Sequence, residues 1–96
     1  MYDSEYNNFE WDPAKDSANQ EKHGLSFTQA TEAFVDPRQV VIGDPAHSCT
    51  EERFYCFGLV GNRVATVRFT LRGGIIRIIG AGYWRYGRAY YEKINA

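Results

Sequence analysis

The sequence predicts an α+β fold, with helices gathered in the first third of the chain and an antiparallel sheet in the second half. Two helix starts, Asp12-Pro13 and Ser26 with Gln29, both fall before Asp36-Pro37. Two hairpin dipeptides, Gly61-Asn62 and Gly73-Gly74, divide the stretch after Arg53 into strands. Length sets the scale: 96 residues supply one core and are too few for a second, so a small single domain over residues 1–96 is expected.

In order, residues 1–8 are polar and read as a frayed, flexible start. Phe9-Glu10-Trp11 reads as a short strand. Asp12 then caps a helix with Pro13 at its first position, where a missing amide hydrogen costs nothing, and Gly24 stops it after Lys22 and His23. Ser26 opens a second helix that places Phe27, Ala30 and Phe34 on one face, and Asp36-Pro37 ends it. Gln39 to Ile42 is a candidate strand, and Gly43 to Thr50 a turn-rich loop. Arg53 to Val60, Arg63 to Arg72 and Ile75 to Ala81 form a three-stranded meander. Tyr83 to Ile94 closes the chain as a helix, with Tyr83, Tyr86 or Gly87, Tyr90 and Ile94 on its inner face.

Two-residue turns fix register, and register fixes faces. Pairing outward from Gly61-Asn62 sets Tyr55 opposite Arg68 and Arg53 opposite Thr70; pairing from Gly73-Gly74 sets Thr70 opposite Arg77 and Arg72 opposite Ile75. Arg53, Tyr55, Arg68, Thr70, Arg72 and Arg77 then share one face. Phe54, Cys56, Ala65, Val67, Phe69, Leu71, Ile76 and Ile78 share the other, which is the expected core. A one-residue bulge would break this assignment.

Charge follows the same division. Residues 1–52 carry eleven carboxylates against Lys15, Lys22 and Arg38, whereas residues 53–96 carry seven arginines and Lys93 against Glu92 alone, for a net charge of -1. Arginine's planar fork suits phosphate and stacks on aromatic rings, so one reading is a nucleic-acid partner for the basic half; the other is mutual neutralisation of the two halves. No stretch approaches the roughly 18 apolar residues of a membrane span, and no basic leader precedes an apolar run, so a cytoplasmic location without membrane contact is expected. Cys49 and Cys56 do not make a disulfide framework, and free thiols are expected. His23, His47, Cys49 and Cys56 have no recognised zinc-ligand spacing; neither metal nor cofactor is expected.

Four arginines on one side of a three-stranded sheet repel one another unless something negative lies between them. Arg77 interrupts the apolar run Ile75 to Ile79 and must either contact an anion or form a buried ion pair. His23 and His47, at element ends beside charge, are candidates for proton transfer; each is equally readable as a cap or a surface histidine. Gly80-Ala81-Gly82 is not a dinucleotide-binding motif, since Arg85 stands where the third glycine belongs.

The series Phe9-Glu10-Trp11-Asp12-Pro13-Ala14-Lys15, Asn19, Lys22-His23-Gly24, Asp44-Pro45, His47-Ser48, Glu51-Glu52-Arg53 and Arg77-Ile78-Ile79 resembles the BrnT family of toxins, in order across most of residues 9–92. The resemblance implies a RelE-like fold and metal-independent cleavage of RNA. It also implies a tight complex with a BrnA-like ribbon-helix-helix antitoxin, through which alone operator DNA is bound. One departure stands out: the family's RIISAR strand end is here Arg77-Ile78-Ile79-Gly80-Ala81-Gly82, without the serine and the last arginine. The expected function is therefore an endoribonuclease toxin that inhibits translation. The cation role at the scissile phosphate is expected of Arg77 and Arg53, and proton transfer of His23 or His47. RNA contacts are expected from Arg68, Arg72, Tyr55, Tyr83, Lys22 and Arg85. The alternative is a non-catalytic module that acts with a DNA-binding antitoxin in autorepression.

Overall fold

The computed structural model describes residues 8–96, so the expectation for the first seven residues lies outside the described residues. β1 (Phe9–Glu10) leads into α1 (Pro13–His23), capped by the Asp12 side chain on the Ala14 amide and ended by Gly24 in the left-handed region at φ 66°. Ser26 and Gln29 form a reciprocal capping box on α2 (Phe27–Ala30), which continues as a 3-10 helix over Thr31–Val35. β2 (Val40–Gly43), β3 (Arg53–Val60), β4 (Arg63–Arg72) and β5 (Ile75–Gly82) follow, and α3 (Arg85–Ile94) closes the chain.

The sheet has the order β1-β5-β4-β3-β2 and is mixed rather than purely antiparallel, because β1 runs parallel to β5. Phe9 lies opposite Ile76 and Glu10 opposite Arg77. No local turn encodes a pairing between strands so far apart in sequence, which is why a meander alone was expected. The hairpin registers are those that the turns dictate: Arg53 with Thr70, Tyr55 with Arg68, Thr70 with Arg77 and Arg72 with Ile75.

A bulge does break the register further along. Phe69 pairs with Ile78 while Arg68 pairs with Gly80, leaving Ile79 as the extra residue. Beyond it the side-chain alternation of β5 reverses: Gly80 and Gly82 come to the arginine face, and Ala81 to the core.

α1, α2 and the 3-10 helix cover one face of the sheet. Its core holds Leu25, Phe27, Ala30, Phe34, Cys56, Val67, Phe69 and Ile78, each at most 5% exposed. The 3-10 helix crosses β3 at Gly58, where an added Cβ would stand 2.4 Å from the Ala33 carbonyl oxygen. Leu71, expected in the core, is 51% exposed, because it lies at the end of the sheet beside the Gly73-Gly74 turn. Asn19 fastens α1 to the edge of β5: its Nδ2 donates to the Ala81 and Leu25 carbonyls at 2.9 and 2.8 Å, and its Oδ1 accepts from the Ala81 amide.

α3 covers only part of the opposite face. Gly87 and Tyr91 are its buried residues, packed with Phe57 and Val64, while Ile94 is 58% exposed and Tyr86 64%. Of the two alternatives, Gly87 rather than Tyr86 faces inward, and Tyr91 is buried where Tyr90 was expected. Asp36 locks this arrangement by accepting from the Leu59 amide and the Tyr91 hydroxyl, at 2.9 and 2.8 Å. Among the described residues no helix lies on the rest of that face, from Tyr55 and Arg68 to Arg72.

Candidate nucleic-acid interface and active site

The uncovered part of the sheet is built in rows by strand register. Arg53, Thr70, Arg77 and Glu10 form one row across four strands; Tyr55, Arg68 and Gly80 form the next, towards α3. The first row is largely neutralised from within. Arg77 Nη1 lies 3.3 Å from Glu10 Oε2, and Arg53 lies 3.9 Å from Glu51. Arg72 donates to both oxygens of Glu51 at 3.3 Å, and these bonds hold the Glu51 carboxyl below its usual pKa. Arg77 is thus ion-paired, but the pair is not buried: its side chain is 29% exposed on the open face and that of Glu10 39%.

Arg68 is different. Among the described residues it has no carboxylate partner, and its Nε, like that of Arg53, is buried without a hydrogen bond. Its guanidinium lies over Gly80, where an added Cβ would stand 2.6 Å from Nη2. The bulge at Ile79 makes this possible by turning the glycine toward Arg68.

Beside Arg68 the sheet meets the start of α3 in a cleft of about 440 Å³, walled by His23, Tyr55, Trp84 and Tyr86 over a floor of Arg68 and Thr66. Trp84 lies across Gly82, and His23 packs edge-on against its ring at 5.1 Å. His23 reaches this place because it is four residues beyond Asn19, on the face of α1 that Asn19 fixes to β5. Thr66 is 4% exposed, and its hydroxyl has no partner among the described residues.

His47 does not line the cleft and is linked to it only through Asp44, which faces Tyr55. Its Nδ1 lies 2.9 Å from the buried Asp44 carboxylate, while its ring is 62% exposed. Burial and the facing Asp44 carboxylate raise the pKa of the Tyr55 phenol, so Tyr55 keeps its proton. The loop is tied to the start of β3: Ser48 Oγ donates to the Asp44 carbonyl and accepts from the Arg53 amide.

The geometry thus joins Arg53, Arg68, Arg72, Arg77, Tyr55, His23 and, through Asp44, His47. Tyr83 and Arg85 lie elsewhere: they line a second cleft with Arg63, on the far side of Trp84. Lys22 is exposed on α1 and belongs to neither cleft. Sequence reasoning gave no role to Glu10, Asp44 or Thr66, and it left Trp84 open between stacking a base and packing in the core. The hairpin register already put Thr66 on the arginine face, whereas Glu10 and Trp84 depend on the parallel strand and the bulge.

No cluster of three or more His, Cys, Asp and Glu side chains placed to hold a metal occurs among the described residues. Cys49 is exposed and free; Cys56 is buried, and burial, then Asp36, pushes its thiol up to about 12, so it stays protonated. No helix among the described residues is long and apolar enough to cross a membrane.

A family model described as "Ribonuclease toxin, BrnT, of type II toxin-antitoxin system" matches residues 11–86, most of the chain. The chain belongs to the BrnT family. No curated protein matches it. The BrnT match runs from Trp11, just before α1, to Tyr86 in the first turn of α3, so it takes in every lining residue of the first cleft but Gly87. Membership places the chain among ribonuclease toxins of type II systems, which act against an antitoxin partner.

Proposed function

We propose that this chain is a RelE-like, metal-independent RNA endonuclease of the cytoplasm that cuts on the open sheet face and thereby inhibits translation. Arg68 carries the proposal, as a cation with no carboxylate partner among the described residues, beside a cleft of aromatic walls in a BrnT-family fold. RNA supplies its own nucleophile, the 2′-hydroxyl, so the protein must remove that proton, stabilise charge building on phosphorus and protonate the leaving 5′-oxygen. Arg68 holds the phosphate, and Arg53 and Arg77 flank it from the next row. Arg72 sits further out, held by Glu51, and positions a neighbouring phosphate.

His23 takes the 2′-hydroxyl proton, because it shares the cleft with Arg68. His47 returns a proton, its outer nitrogen open to solvent while Asp44 holds the inner one. Tyr55, backed by Phe57 at 6.0 Å, offers a ring for a base. A BrnA-like ribbon-helix-helix antitoxin that covers this face with a carboxylate-bearing segment would inhibit by occupancy, and operator DNA would be bound through that antitoxin.

The test is purified protein incubated with RNA in EDTA. Cleavage should leave fragments ending in a cyclic or 3′ phosphate, and a DNA oligomer of the same sequence, lacking the 2′-hydroxyl, should stay intact. His23→Gln and His47→Gln should each slow the reaction. Intact RNA, with the protein folded, would instead favour a non-catalytic module that acts with its antitoxin in autorepression.

A further inference from the structure

The second cleft has no part in the chemistry just described. It encloses about 480 Å³ between the β3-β4 hairpin and α3, and Arg63, Arg85, Arg88, Tyr83, Trp84 and Glu92 are among its walls. Three cations thus face one acid. Among the described residues none of the three arginines forms an ion pair. Arg63 lies instead over the Tyr83 ring, 4.0 Å from its centroid, and Tyr83 is itself tied by its hydroxyl to the Val60 carbonyl.

The position of these charges is unfavourable without a ligand. Arg85 and Arg88 fall in the first turn or so of α3, at the positive end of its dipole, where acidic side chains normally stand. That turn holds no acid, and Trp84 gives the helix no side-chain cap. Free amides, two guanidiniums and a third guanidinium across the cleft all favour one kind of occupant, an anion bearing several oxygen acceptors.

Trp84 lines this cleft and the first one alike. A strand whose base sits between Tyr55 and Trp84 can continue past the tryptophan into the arginine cleft without leaving the surface. We propose that the Arg63, Arg85 and Arg88 cleft is a phosphate-binding subsite for single-stranded RNA, holding nucleotides beyond the bond that is cut. This rests on the RNA reading of the first cleft and extends it: the substrate is an unpaired strand, gripped on both sides of Trp84. A duplex is excluded by the need to pass one strand over a single ring between two separate clefts.

The experiment is binding of 2′-O-methyl oligonucleotides, which cannot be cut, so that its outcome does not depend on catalysis. A hexanucleotide is compared with a dinucleotide, which fills only the first cleft. The protein should favour the hexanucleotide, and in R63A/R85A/R88A that advantage should shrink about tenfold or more. The slope of log affinity against log salt should fall by about 2, as three single-strand phosphate contacts require. R85A/R88A, which keeps Arg63 on Tyr83, should show about two thirds of the change in slope and guards against a folding defect in the triple variant. An unaltered hexanucleotide advantage with an unaltered slope in both variants would overturn the proposal. So would variants that bind RNA normally but lose the antitoxin, since the cleft would then be a protein-docking surface.

Discussion

Arg68 and Gly80 work as a pair, since the guanidinium lies where a side chain at Gly80 would begin. Arg68→Ala should reduce RNA cleavage by about 100-fold or more, the usual effect of removing a charged group at a developing oxyanion, while the melting temperature stays close to wild type. A collapse in thermal stability would instead mean that Arg68 serves the fold. Restoring the family's serine by Gly80→Ser brings a Cβ to within 2.6 Å of the Arg68 Nη2 atom, which must move aside. A flexible tip moves cheaply, so the variant should fold normally and cleave less, not more, as kinetics on a short RNA would show. At Gly82 the obstacle is the Trp84 ring, 2.5 Å from the added Cβ, so the family's arginine there would displace a wall of both clefts.

The bulge at Ile79 is the element on which the site turns. Without it Ile79 would stand opposite Arg68, Gly80 would face the core and Ala81 the arginine side, and Asn19 would lose the Ala81 amide and carbonyl that fix α1. The sequence conceals it, because five residues of nearly uniform isoleucine character give no sign of where one is inserted. The turns at Gly61-Asn62 and Gly73-Gly74 were legible because two-residue hairpins admit few registers, and they correctly assembled the arginine face as far as Arg68. The inner face of α3 was left open between Tyr86 and Gly87 because its aromatic residues are spaced to suit more than one face, and a close approach at Gly87 selects among them. An added Cβ there would meet Thr66 Oγ1 at 2.1 Å and the Phe57 ring at 2.8 Å. Gly87→Ala should therefore destabilise by about 1 to 3 kcal/mol, measured in urea, by pushing α3 off the sheet.

Asp36 binds the same helix from the other side. Burial alone would raise its pKa, but the Arg38 and Leu59 amides and the Tyr91 hydroxyl outweigh burial and hold the carboxyl below the ordinary 3.8. A carboxyl depressed in the folded state contributes stability above its unfolded pKa and loses it as pH falls through the folded one. Stability should thus decline below pH 3.8 in the wild type. Asp36→Asn should be less stable at neutral pH, and this part of the acid dependence should be absent in melts run from pH 7 to pH 2.

Across the whole molecule, the acidic and basic halves meet on the open face. Four arginines from the second half share it with Glu10 and Glu51 from the first, which leaves a net charge of about +2. The charge asymmetry was plain in the sequence, but its use was not, because the Glu10 to Arg77 pair depends on a parallel strand that no turn announces. These carboxylates hold Arg77 and Arg72 in place and compete with phosphate for them. Glu10→Gln with Glu51→Gln should settle which effect dominates. Removing two negative charges exposes two more cations to RNA, so an uncleavable single strand should bind more tightly, and its salt dependence should steepen by about 1.4 in log units. If the carboxylates chiefly position the arginines, the double variant will bind more weakly with an unchanged slope, and the face will have to be read as an ion-pair network that RNA visits only at Arg68.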